Sequence, residues 1–134
     1  MNEESLLTAF DNHNGPGVIA SSDGKGEVNA AVFGSVRRLD DQHVAMALGE
    51  GRTLDNLKFN GRAVYLFYRE GKTVLEWQGA RLYLDVVRFE DEGGLFASLV
   101  AEAEQQAGKM AARMLRCAVV FRIDSVRPLI DFGA

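Results

Sequence analysis

Met46-Ala-Leu-Gly-Glu-Gly-Arg-Thr-Leu-Asp-Asn-Leu-Lys-Phe-Asn-Gly-Arg-Ala-Val-Tyr-Leu-Phe67 is the stretch on which the reading of this chain turns. An apolar run, Met46 to Leu48, meets a turn at Gly49 and Gly51, where missing side chains let the backbone fold sharply. A short helix is expected over Thr53–Phe59, ended by Gly61, and Ala63–Tyr68 reads as an apolar strand. Arg52 and Thr53 stand where the helix begins. Two readings fit them. Thr53 could cap the helix with Arg52 merely solvated, although Asn56 leaves the capping box incomplete. Alternatively, a guanidinium, a hydroxyl and the free amides of a helix N-terminus form a seat for a phosphate. No GxGxxG fingerprint or Walker sequence accompanies them.

Upstream, Glu3–Phe10 has Leu6, Leu7 and Phe10 at helical spacing. Val18–Ser21 and Glu27–Arg37 read as strands joined by the hairpin loop Asp23–Gly26. The second of these strands is apolar or small on both faces, with Val28, Ala30, Val32 and Val36 on one and Ala31 and Phe33 on the other. It is therefore expected to be covered on both. Small side chains at 29–33 suit either a buried strand or a surface on which a planar ring lies flat. His43–Leu48 is a third strand.

Downstream, Thr73–Arg88 is the longest strand signal. Its apolar phase changes at Gly79, from Leu75 and Trp77 to Ala80, Leu82, Leu84 and Val86, so a bend is expected there. Leu95–Leu115 reads as one helix, with Phe96, Leu99, Val100, Ala103, Ala107, Met110, Ala111 and Met114 on one side. Arg116–Ile123 is a last strand, apolar on both faces, which suits a dimer surface. The sum is a mainly β chain with peripheral helices: about six strands in an antiparallel barrel.

The 134 residues suit one domain over 1–134, and a net charge of −4 argues against a nucleic-acid surface. No apolar run is long enough for a bilayer span and the first residues lack the form of a signal peptide, so no membrane role is expected. The single cysteine, Cys117, excludes an intrachain disulfide, fits a reducing cytoplasm and reads as a small buried residue. His13 and His43 have no partners at metal-ligand spacing, so no metal site is expected. Neither a paired carboxylate dyad nor a nucleophile elbow is present, and no catalytic residue is assigned.

The order and spacing of Gly17–Ala31 and Gly49–Phe67 resemble the FMN-binding split-barrel superfamily, the group related to pyridoxamine 5'-phosphate oxidase. The resemblance extends over most of the chain. It implies a six-stranded antiparallel split β-barrel that forms a homodimer, with FMN in a groove at the subunit interface. It implies that Arg52 and Thr53 hold the FMN phosphate, with Asn56 supporting the turn. Asn29, Ala30, Ala31 and Val32 would meet the flavin ring and ribityl chain, and Ala47 and Leu48 would line the same groove. The implied function is a flavin-dependent oxidoreductase or electron carrier with a small-molecule or redox-protein partner. Two departures stand out: Thr53 replaces a second basic residue common in the family, and no histidine follows His43. Oxidation of pyridoxamine phosphate is therefore not expected. A split barrel without flavin, acting as a binding or sensing module, is the alternative.

Overall fold

The computed structural model describes residues 2–13, 15–34 and 36–131. In chain order its elements are α1 (Glu3–Asn12), β1 (Gly17–Ser22), β2 (Val28–Phe33), β3 (Arg37–Arg38), β4 (His43–Gly49), α2 (Arg52–Phe59), β5 (Arg62–Arg69), β6 (Gln78–Glu90), α3 (Gly94–Ala107), α4 (Lys109–Arg113) and β7 (Leu115–Pro128). The β1–β2 hairpin is closed by its loop side chains. The Asp23 carboxylate accepts from the amides of Lys25 and Glu27, and the Ser22 hydroxyl accepts from that of Gly24. The register runs from Ser22 opposite Val28 to Gly17 opposite Phe33.

All seven strands lie in one antiparallel sheet, ordered β2-β1-β5-β6-β7-β4-β3. This replaces the six-stranded expectation. The strand read over 27–37 ends at Phe33, and the chain re-enters the sheet as β3 at its opposite edge. At Gly34 no side chain holds the strand on course, and an added Cβ there would meet nothing. The hydrogen-bonded ladder does not close between β2 and β3. Yet the chain passes from one edge to the other between Phe33 and Arg37, a step that spans at most about 14 Å. The sheet must therefore roll around on itself, leaving a gap between its edges. Helix α2 leaves β4 at one side of that gap and packs on β1 and β2 at the other.

The rolled interior is the main core. Ile19, Val44, Met46, Leu48, Tyr65, Phe67, Leu82, Leu84, Val119 and Phe121 point into it, joined by Leu6 and Phe10 of α1 and Leu54 and Leu57 of α2. Each such side chain contributes about 1.5–3 kcal/mol by leaving water. Phe10 meets Tyr65 and Phe67 edge-on, at 6.0 and 5.6 Å between ring centroids. A smaller core lies outside the sheet, where Ala45, Ala118 and Val120 are covered by Leu99. The second apolar face of Arg116–Ile123 is thus covered by α3 of the same chain, where a dimer surface was expected. Arg37 of β3 pins α3 in place through Ser98 and Glu102.

Two further expectations are revised. The long strand starts at Gln78, because Val74–Glu76 forms a turn of 3-10 helix with Leu75 in solvent. The change of phase at Gly79 marks where the strand begins. The bulges come later, at Tyr83/Leu84 and Val86/Arg88. Gly79 is needed for another reason: a Cβ there would sit 2.1 Å from the Phe67 carbonyl oxygen. The single helix over 95–115 divides at Gly108, whose φ of +92° breaks the helical path. Met110 and Met114 are consequently exposed.

Candidate functional site

The gap between the sheet edges is where the polar residues gather. Helix α2 begins at Arg52 with Gly51 as its N-cap and no side chain capping it. Its ladder starts with the Asp55 amide donating to the Gly51 carbonyl, so the amides of Arg52, Thr53 and Leu54 have no intrahelical acceptor. These amides carry the positive end of the helix dipole. The turn in front of them is held by close packing: a Cβ on Gly49 would meet the Met114 carbonyl oxygen at 2.7 Å.

Thr53 is buried, and its hydroxyl oxygen accepts from the Asn29 amide nitrogen at 3.3 Å. One turn later Asn56 donates to the hydroxyl of buried Ser21 at 3.2 Å. Ser21 and Asn29 are direct partners in the β1–β2 register. Four side chains therefore stitch α2 to the hairpin, and Arg52 stands exposed beside them. Thr53 is not a helix cap. It accepts one hydrogen bond and keeps its own proton to donate. Together the guanidinium, the hydroxyl and the open amides make an arrangement that can hold an anion.

The structure thus brings Asn29, Thr53 and Asn56 together and sets Arg52 at their edge. Ala31 shares the face of β2 with Asn29, whereas Ala30 and Val32 lie on the other, exposed face. The expectation that β2 is covered on both faces is not met within the chain: Val28 and Val32 are 79% and 70% exposed. Ala47 packs against the small core under α3, and Leu48 is buried in the main core. Ser21, which completes the cluster, had no signal of its own in sequence beyond lying in a strand.

A separate cleft of about 810 Å³ opens where the end of α1 meets the start of β1 and the β5–β6 turn. His13, Val18, Val32, Tyr68 and Gln78 are among its walls, so of the anticipated residues only Val32 reaches it. Cys117 is buried, and burial pushes its thiol up from the ordinary range, in keeping with a packing role. No helix among the described residues is long and apolar enough to cross a membrane.

No protein-family model and no curated protein matches the sequence. Solved structures do match in shape. An FMN-binding protein from Syntrophomonas wolfei subsp. wolfei superposes with a TM-score of 0.80 at 23% identity, over 97% of this chain and 85% of that one. A putative pyridoxamine 5'-phosphate oxidase from Listeria innocua gives 0.70 at 13% identity, over 95% and 97%. The chain shares the overall fold of these proteins. The heme storage protein HutZ from Vibrio cholerae shares this fold, at a TM-score of 0.64 and 17% identity over 99% and 93% of the two chains. Helix α2 packs on β1 and β2, and the Asn29–Thr53 contact ties it to the edge strand β2.

Proposed function

We propose that the chain is an FMN-binding redox protein that works as a homodimer. The observation that carries this reading is the uncapped N-terminus of α2, with Arg52 in solvent and the Thr53 hydroxyl fixed by Asn29. These groups fit a phosphate monoester: one full positive charge, one hydroxyl donor and backbone amides facing the same way. Beside them β2 is an edge strand, bonded only to β1. Its free backbone N–H and C=O groups can pair with the polar edge of an isoalloxazine ring, and the small residues Ala30 and Ala31 let that ring approach. FMN would supply the electron-transfer chemistry, and the protein would supply anchoring and orientation.

The homodimer reading rests on Val28, Ala30 and Val32. They form an apolar row on the outer face of β2 that stays exposed among the described residues. A second copy laid against this row would bury it and wall off the flavin. A small-molecule or redox-protein electron partner completes the proposal, with the cytoplasm as the compartment that suits a single reduced thiol. Oxidation of pyridoxamine phosphate is not part of it.

One observation favours a second reading, a split barrel that senses or binds without flavin. The Thr53 hydroxyl is already engaged by Asn29, and only one arginine stands at the seat. An absorption spectrum of the purified protein, before and after adding FMN and removing the excess, separates the two. Flavin bands that stay with the protein support the first reading, and a colourless protein after both steps leaves only the second.

A further inference from the structure

Two arginines face each other across the β6–β7 ladder. Arg81 and Arg127 are direct register partners. Ala80 and Leu82 beside the first, and Val126 beside the second, turn toward the main core, so both guanidinium groups stand on the outer side of the sheet. Like charges placed opposite each other repel and weaken a ladder. Here one carboxylate offsets them. Asp131 Oδ2 accepts from Arg81 Nη2 at 3.3 Å, from Arg127 Nε at 3.2 Å and from Arg127 Nη2 at 2.6 Å. Further contacts hold Arg81 in place. Its Nε donates to the Pro128 carbonyl at 3.0 Å, and its Nη1 lies 3.5 Å from the Tyr83 hydroxyl. The Arg81 and Asp131 side chains are 26% and 21% exposed, so salt screens them less than a fully solvated pair. Two cations thus converge on a single carboxylate oxygen.

We propose that Arg81 and Arg127 form a binding site for a doubly charged oxyanion, the phosphate of a small phosphorylated molecule, and that Asp131 is its internal competitor. A phosphate dianion matches the two cations in charge. It can also give separate oxygens to the two guanidinium forks, which one carboxylate oxygen does not. The competitor is tethered: Asp131 follows closely on Pro128, the last residue of β7. Its carboxylate is therefore presented at a high local concentration and leaves when the chain end swings off. A ligand has to displace the chain's own tail, which sets a threshold concentration for binding. The site is separate from the candidate FMN seat. Arg81 on β6 lies three strands from β2, about 14 Å at about 4.8 Å per strand. Asn29 also turns to the opposite, core-facing side of the sheet.

Inorganic phosphate is titrated into the full chain carrying Arg52→Ala, so that the candidate FMN seat does not compete for it. Binding is read from the amide NMR signals of Ser125, Arg127 and Asp131. Saturable shifts are expected, with sulfate, a second dianion, competing and chloride at matched ionic strength without effect. Asp131→Asn keeps the size of the side chain and removes its charge. Phosphate should bind that variant more tightly, by about tenfold or more. Arg127→Gln, a change at a partly exposed side chain, should undo the gain in the same chain. None of these readouts depends on FMN, so the proposal and the FMN reading fail separately. No saturable shift in Asp131→Asn, equal affinity with and without the Asp131 charge, or binding that survives Arg127→Gln overturns the proposal. Any of these leaves the three residues as a structural clasp for the end of β7.

Discussion

Asn29 on β2 donates its side-chain amide to the hydroxyl of Thr53 on α2, 3.3 Å away across 24 residues of sequence. This contact fixes the helix N-terminus relative to the edge strand and so sets the geometry of the anion seat. Thr53→Val keeps the shape and removes the acceptor. The loss expected in chemical denaturation is about 0.5–1.5 kcal/mol, the usual net value of one protein hydrogen bond. Adding Asn29→Ala to that variant should cost clearly less than Asn29→Ala alone, since the two groups act as a pair. Strict additivity in the double-mutant cycle would show that they are not coupled.

The outer row of β2 gives a prediction about assembly. Val28 is exposed in the single chain, so Val28→Glu should leave the fold intact, as judged by circular dichroism. If this row is the contact between two copies, sedimentation velocity should show a dimer for the wild type and a monomer for the variant. A variant that stays dimeric places the contact elsewhere.

Two glycines should respond in opposite ways to the same change. Gly79→Ala drives a Cβ to within 2.1 Å of the Phe67 carbonyl, a clash with backbone that no rotamer relieves. A loss at or above the upper end of the 1–3 kcal/mol typical of overpacking is expected, on the order of 3 kcal/mol. Gly94→Ala, in the first turn of α3, meets nothing within 4 Å. It should be neutral or stabilise by up to about 1 kcal/mol through helix propensity. Thermal unfolding of the pair checks both.

Alkaline stability has a named source. Tyr65 is buried among core aromatics, and desolvation pushes its hydroxyl from the ordinary 10.0 up to about 12. The folded chain therefore keeps a proton that the unfolded chain gives up sooner. Stability is whole below pH 10 and falls as pH rises through 12, by about 2–3 kcal/mol in total. Tyr65→Phe should flatten that decline. An equally steep fall in the variant would assign the loss to other groups.

Which parts of this could be read from residues alone follows from the kind of information each needed. The even-numbered residues Ala80, Leu82 and Leu84 alternate cleanly and are buried as read, because a one-sided strand writes its pattern locally. Trp77 and Leu75 misled, because apolar residues in a tight turn carry no phase and look like more strand. Gly108 reads as a costly residue within one helix. It ends α3 instead, since a positive φ is a backbone state that composition does not display. Arg52 and Thr53 stand, as read, where the helix after the glycine turn begins. Ser21 was not legible, because its role depends on Asn56 reaching it across the rolled sheet. Leu48 illustrates the converse. It precedes the glycine turn in sequence, but its own side chain points into the core.

Arg52 is the residue on which FMN binding should depend most. Flavin fluorescence followed on titrating FMN into the wild type and into Arg52→Ala is the most direct measurement, because the side chain is exposed and its removal leaves the fold untouched. Saturable binding by the wild type is expected. The variant should bind more weakly by about 1.5–3 kcal/mol, the value of a hydrogen bond to a charged group, or roughly 10- to 150-fold. Equal affinity in the two proteins, or no binding by either, would contradict this.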